Sequence, residues 1–205
     1  MSRLIIFGGG GHATVVADLA ELSNEWSDIA LVDDAFPVKR VVHHWPIIGK
    51  IADAGKLLRE GDSFFVAIGD SKKRNELISL NSGFGNLAKL IHPSAVVSRY
   101  SVINQGVVVM PGAVINAGAI VSTGAIVNTG AIVEHDCLIG EYSHVCPGSS
   151  LAGAVKVGCH TWIGIGTSVK QGVTIGSNVL IGAGSVVIRD VPDDWKVAGV
   201  PARPI

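Results

Sequence analysis

From Ile91 onward the chain places a branched apolar residue at every sixth position. The series Ile91, Val97, Ile103, Val109, Ile115, Val121, Val127, Val133, Ile139, Val145, Leu151, Val157, Ile163, Val169, Ile175, Ile181, Val187 has 17 members without an insertion. Four residues after each, the series Ala95 to Val191 holds only Ala, Ser, Thr, Val and Cys. A half-buried strand repeats every two residues and an amphipathic helix every 3.6, so a strict period of six fits neither. It describes a parallel β-helix in which each hexapeptide forms one short flat side. The branched residue points into the core, and the small residue lies inward near the corner. Three sides close a triangular coil of 18 residues, and the 17 hexapeptides give nearly six coils.

Residues 1–90 follow a different pattern, in which short apolar runs alternate with segments of helical period. Residues 4–7 predict a strand, Gly8 to Gly11 a glycine loop, and residues 13–22 a helix with apolar Val15, Val16, Leu19 and Leu22. A second strand over 29–32 ends in Asp33-Asp34. A third over 64–68 ends in Gly69-Asp70 and leads into a helix over 72–80. A last strand near 87–90 feeds the repeats. This is a small parallel α/β domain, about half of a dinucleotide-binding fold. Residues 38–50, with His43-His44-Trp45-Pro46, read as a surface loop. The chain thus divides into an α/β domain (1–90) and a β-helix domain (91–205).

Composition sharpens this division. The first 90 residues carry 10 Lys/Arg and 11 Asp/Glu, whereas the remaining 115 carry only 6 and 6. The mean hydropathy of +0.45 would suit a membrane protein, yet Gly, Asn, Ser and Thr interrupt every window long enough to span a bilayer. A net charge of −1 leaves no basic excess for nucleic acid, so neither membrane nor nucleic acid is expected as a partner. The start shows no basic and apolar leader pattern, and a cytoplasmic location is expected. Cys137, Cys146 and Cys159, spaced 9 and 13 apart, fit neither a zinc motif nor a disulfide framework.

Two places carry candidate chemistry. Gly8-Gly9-Gly10-Gly11-His12-Ala13 formally matches G-x-G-x-x-A between a strand and a helix, with Asp33 twenty residues past Ala13. One such unit offers a single mononucleotide half-site, and the helix tip presents free N–H groups to an anion. The favoured reading is a nucleotide or nucleotide-sugar cleft lined by Gly10, Gly11, His12, Asp33, Asp34 and Gly69; the competing one is a tight turn without a ligand. On the prism, only Glu134, Asp136 and Glu141 are charged between residues 100 and 155, and they bracket His135. Counted from Val133, His135 points outward and Cys137 inward. An outward imidazole between carboxylates suits general-base work, because a neighbouring carboxylate fixes the tautomer and raises basicity. A solvated surface histidine is the plain alternative. A metal site is a weaker one, since His135, His144 and His160 are spaced 9 and 16 apart and do not stack at the 18-residue coil period.

The uninterrupted hexapeptide register and the ending Val197-Ala198-Gly199-Val200-Pro201-Ala202-Arg203 resemble the left-handed β-helix acyltransferases. The small α/β domain and the Glu134-His135-Asp136-Cys137 segment narrow the resemblance to sugar acetyltransferases of bacterial surface-glycan pathways. These include N-acetyltransferases of nucleotide-linked 4-amino-4,6-dideoxysugars and sialic acid O-acetyltransferases. The resemblance implies a cytoplasmic homotrimer that uses acetyl-CoA and a nucleotide sugar without a metal. It implies that His135 is the catalytic base, Asp136 the carboxylate beside it, and Asn128 a polar contact in the active site. It places His144 at the acetyl thioester, where it or a backbone N–H would hold the carbonyl oxygen. The acetyl-CoA groove would involve Ile165, Gly166, Gly182, Ala183 and the tail to Arg203. A sugar O-acetyltransferase and a non-catalytic nucleotide-binding β-helix protein remain the alternatives.

Overall fold

The computed structural model describes residues 2–205 and divides into two compact units, Met1–His92 and Pro93–Ile205. In the first unit the strands are β1 (Ser2–Phe7), β2 (Trp26–Val32), β3 (Val41–Val42), β4 (Trp45–Gly49), β5 (Ser63–Val66) and β6 (Asn86–Leu87). They form one sheet in the order β3-β4-β2-β1-β5-β6, parallel except for the β3–β4 pair. At its centre Leu4, Ile5, Ile6 and Phe7 are fully buried, the continuous apolar run expected of a parallel strand covered on both faces. Helix α1 (Gly11–Ser23) buries Ala13, Val16, Ala17, Leu19 and Ala20. Three of these five are alanines, and the apolar Val15 and Leu22 are exposed. A short α2 (Ala54–Leu57) precedes β5. Helix α3 (Ser71–Asn81) starts where Asp70 Oδ1 accepts the Lys73 amide at 2.8 Å, an N-cap that satisfies one orphan donor.

Two sequence expectations change. Residues 38–50 are not a loop: β3 and β4 form a hairpin that extends the sheet, with Val42, Trp45 and Ile47 buried. Its two-residue turn is His43-His44, with His43 left-handed at φ 50°, and it lacks the Gly or Asn that usually marks such a turn. The single strand expected near 87–90 is two, β6 and a separate Leu90–Ile91.

The second unit is a parallel β-helix with left-handed coils. Two-residue strands recur every six residues from Val96–Val97 to Val186–Val187, and each pairs with the strand 18 residues away. On one face Val108, Ile126, His144, Trp162 and Leu180 stand in a single column. The inward positions from Val109 to Val187 are all buried, as the six-residue series requires.

The corners explain the glycine excess. From Gly106 to Gly184 every sixth residue has positive φ, and nine of these 14 are Gly. The others are Asp136, Tyr142, Ala154, His160 and Asn178. A left-handed residue costs an L side chain roughly 1–2 kcal/mol, least for Asn and Asp, so glycine is the default. Hydroxyls at the small inward positions are buried but satisfied. Ser143, Ser149 and Thr161 each donate to the carbonyl fifteen residues on, at Gly158 (2.6 Å), Gly164 (2.8 Å) and Gly176 (2.7 Å). Cys137 Sγ does the same to Ala152 at 3.2 Å.

The last coil is closed by the tail. Strand Lys196–Ala198 pairs with Leu180–Ile181 on one face and with Arg203–Pro204, which folds back antiparallel. Val186 exchanges hydrogen bonds with Gly199 and Ala202 on the second face, and Ile175 bridges to Val191 on the third.

The coils approach closely at glycines beside the strands. A Cβ on Gly158 would lie 2.5 Å from both the Gly176 carbonyl carbon and the Ser177 amide nitrogen. The obstructing atoms are backbone and cannot turn aside. Gly158→Ala is therefore expected to lower stability by ~1–3 kcal/mol, read as a lower urea midpoint, as overpacking does elsewhere.

Candidate active site

Val133 to Leu138 forms one side and corner of a coil. Its left-handed corner residue, Asp136 (φ 59°), places a carboxylate where most corners carry no side chain. Asp136 Oδ2 lies 2.9 Å from His135 Nδ1. Both side chains are largely exposed, 68% and 62%, so the imidazole does point outward. A carboxylate only accepts, so the proton sits on Nδ1 and Nε2 keeps its lone pair. The hydrogen bond to Asp136 pushes the His135 pKa above its ordinary value. Slight desolvation opposes the rise, and the charges of Asp136 and Glu134 add to it. Gly153, one coil on, supplies the space for the ring: a Cβ there would overlap His135 Nε2 and lie 2.6 Å from Cε1.

A second pair sits on an adjoining face. Asn128 Oδ1 accepts the Thr129 amide at 2.8 Å, which orients the side-chain amide and leaves Nδ2 to donate. Nδ2 lies 2.9 Å from His144 Nε2. His144 Nε2 is therefore an acceptor, and the neutral ring carries its proton on Nδ1. His144 is only 7% exposed and packs edge-on against Trp162, with ring centroids 4.5 Å apart. Trp162 was not anticipated, although its place in the His144 column is readable from the 18-residue spacing.

Two of the three thiols are unsuited to covalent chemistry. Cys137 is buried with its pKa raised by desolvation, and burial pushes the Cys146 thiol to about 12. Both remain protonated and weakly nucleophilic. Among the described residues no three His, Cys, Asp or Glu converge as metal ligands.

Of the expected cofactor residues, Ile165 and Ala183 are exposed, and Gly166 faces open space at a left-handed corner. Gly182 is committed to the fold: its N–H donates to Val197 O at 2.8 Å, and a Cβ would meet that of Ala198 at 2.8 Å. Arg203 lines a cavity of ≈ 340 Å³ at the tail together with Arg189 and Trp195, neither of which stood out in the sequence.

In the first unit, Gly10 and Gly11 lead into α1 with no side-chain cap and no atom where a Cβ would stand. The first-turn amides are thus open to an anion. Gly9 packs against Asp33, whose Oδ1 accepts the Ala35 amide at 2.9 Å. Asp34 Oδ1 accepts the Ile51 amide at 3.3 Å and borders a cavity of ≈ 570 Å³ that also includes Lys73 and Phe84. Lys39 Nζ donates to Gly9 O at 2.7 Å, so a cation stands at the glycine loop. The long separation from the loop in sequence hides it. Fully buried Arg74 donates to the carbonyls of Ile68 (2.7 Å) and Gly69 (2.9 Å), fixing the turn before α3. Burial, with Arg74 adding repulsion, lowers His12 to about 4, so its ring is neutral near pH 7.

Comparison with known proteins matches a segment in each unit. The model of the PglD N-terminal domain matches residues 3–80, and that of the bacterial transferase hexapeptide (six repeats) matches residues 154–189. The UDP-N-acetylbacillosamine N-acetyltransferase of Bacillus subtilis (strain 168) is 38% identical over 109 residues, covering 52% of this chain. That match spans only half (50%) of the relative's length. The acetyltransferase domain of PglB from Neisseria gonorrhoeae FA1090, solved in complex with acetyl coenzyme A, superposes with a TM-score of 0.95 at 39% identity, covering 99% of this chain and 98% of that one. PerB from Caulobacter crescentus, solved with CoA and GDP-perosamine, gives a TM-score of 0.93 at 41% identity, covering 100% and 98%.

Two measurements check these electrostatics. Asp136→Asn is expected to bring the His135 titration, followed by imidazole NMR, down toward the ordinary ~6.5. For His12 the folded state binds fewer protons than the unfolded one between pH 6.5 and about 4, so stability falls on acidification through that window. Across it the wild-type chain is expected to lose up to ~3 kcal/mol more than His12→Gln, measured by urea unfolding at each pH.

Proposed function

We propose that this chain, which belongs to the hexapeptide-repeat sugar acetyltransferases with a PglD-type N-terminal domain, transfers the acetyl group of acetyl-CoA to the 4-amino group of a nucleotide-linked 4-amino-4,6-dideoxysugar. The observation that carries this reading is the exposed His135–Asp136 pair, in a chain whose full-length structural relatives were solved with acetyl coenzyme A or with CoA and GDP-perosamine.

The chemistry follows from the tautomer. A thioester is already activated, so the protein must position the reactants and move one proton. The sugar amine attacks the thioester carbon, a C–N bond forms, and His135 Nε2 takes the ammonium proton. The tetrahedral intermediate collapses, the C–S bond breaks, and the same proton passes to the departing thiolate. The imidazolium formed in between is stabilised by Asp136. His144 stands at the acetyl thioester, where it or a backbone N–H holds the carbonyl oxygen. No acyl-cysteine is formed.

The glycine loop of the first unit holds the nucleotide phosphates, with Gly10, Gly11 and His12 at the helix tip and Asp33, Asp34 and Gly69 around it. Ile165, Gly166, Ala183 and Arg203 contact the cofactor, and Gly182 shapes that surface through its packing. The protein acts in the cytoplasm, in surface-glycan biosynthesis, as a homotrimer. The exposed apolar column Val102, Ile120 and Leu138 on one prism face supports lateral association, and sedimentation should give three times the chain mass.

His135→Ala is expected to lower kcat by ~10²-fold or more with little change in KM for acetyl-CoA, read as thiol release. Near-wild-type turnover would remove His135 as the base. In the wild-type protein kcat/KM should rise with pH through a pKa above 6.5, because the base acts only when deprotonated. Among UDP-, dTDP- and GDP-linked 4-amino sugars at least one should release CoA, whereas sialic acid should not.

A further inference from the structure

We propose that Gly118 is a positioning residue for acetyl transfer: the side chain it lacks leaves the space in which the Asp136 carboxylate lies against His135. The inference rests on the reading of His135 as the base and adds to it a residue that acts through Asp136.

Gly118 stands directly below Asp136 in the corner column of the prism, one 18-residue coil earlier. Both residues are left-handed, at φ 76° and 59°. A Cβ on Gly118 would overlap Asp136 Oδ1 and press to 3.4 Å from its Cγ and 3.5 Å from its amide nitrogen. The two oxygens of a carboxylate move together in one plane. A methyl group that displaces Oδ1 therefore also turns Oδ2 away from His135 Nδ1, where it now sits at 2.9 Å.

What must yield is the end of an exposed side chain and not backbone, so the coil survives and the carboxylate gives way. This distinguishes Gly118 from Gly158, whose added Cβ would meet the next coil's main chain. Left-handed conformation alone does not account for the glycine either. Five corners carry other residues, including Ala154 directly above Asp136. At Gly112, with φ 67°, a Cβ would find nothing within 4 Å. Gly118 and Gly112 thus share the conformational demand, and only Gly118 has the carboxylate above it.

The charged groups acting on the His135 ring are Asp136 and Glu134 of its own coil. The adjoining corners, Ala117-Gly118 below and Gly153-Ala154 above, carry none. With Asp136 displaced, His135 loses its main reason to titrate above an ordinary histidine and loses the bond that keeps the proton on Nδ1.

The test compares Gly118→Ala with Gly112→Ala in the full-length protein, with His135 NMR signals assigned through His135→Ala. Gly112→Ala should leave the His135 titration in place. Gly118→Ala should move it down toward the ordinary value and lower kcat/KM by about tenfold, with KM for acetyl-CoA unchanged. The acid limb of its pH profile should shift the same way. In an Asp136→Asn background, Gly118→Ala should have no further effect. Should the alanine variant fold poorly, Gly118→Asn keeps the test, because asparagine already occupies a left-handed corner at Asn178. An unmoved His135 titration in the folded variant, or an equal activity loss with and without the Asp136 carboxylate, overturns the proposal. A fully active His135→Ala would overturn the general-base reading instead, while the titration still reports on Gly118.

Discussion

The prism depends on a backbone turn into left-handed conformation at every sixth residue. Each such turn swings the chain onto the next face, and three of them return it to the same face one coil on. Because coils stack in strict register, side chains 18 residues apart become neighbours, and inward Val, Ile and Leu build continuous apolar columns. Glycine relieves the conformational demand and leaves an empty spot on the corner. Where another residue stands there, the fold accepts a penalty for what that side chain does. Asp136 is such a case, and its carboxylate orients a histidine one residue away.

Stacking also determines how the chemical groups are held. His135 and Asp136 belong to one corner, with Gly153 beside the ring and Gly118 beneath the carboxylate. Asn128 and His144 lie on the same face in successive coils, and their amide-to-imidazole bond fixes the tautomer of a ring that a sequence leaves free to donate or accept. Each pair rests on short strands bonded above and below, so few side-chain torsions remain to be frozen when substrate binds. The α/β unit uses another device, a buried arginine that ties down the carbonyls of a turn.

The inward columns, the outward His135 and the buried Cys137 were legible because they follow from counting in sixes. The glycine loop and the order of strands and helices around it were legible for the same kind of reason, being set by local pattern. What escaped was decided by neighbours distant in the chain or by atoms that are not there. The His43-His44 turn has no glycine or asparagine to announce it, and only the buried alternation Val42, Trp45, Ile47 marks the hairpin. Lys39 reaches the glycine loop from thirty residues away. The hydrogen bond between Asn128 and His144 depends on the orientation of Asn128, itself set by one backbone amide. Gly118 reads as one corner glycine among many until the residue eighteen positions later is placed above it.

The closure of the last coil has a consequence for behaviour in solution. A parallel β-helix is open-ended by construction, and a bare final coil offers three rungs of unpaired amides and carbonyls to any similar coil it meets. Here Val191, the Lys196–Ala198 strand and the Gly199–Ala202 turn occupy those rungs one by one. The segment that lines the cavity beside Arg203 therefore also acts as a chain terminator, keeping a geometry suited to endless axial growth from polymerising into fibres.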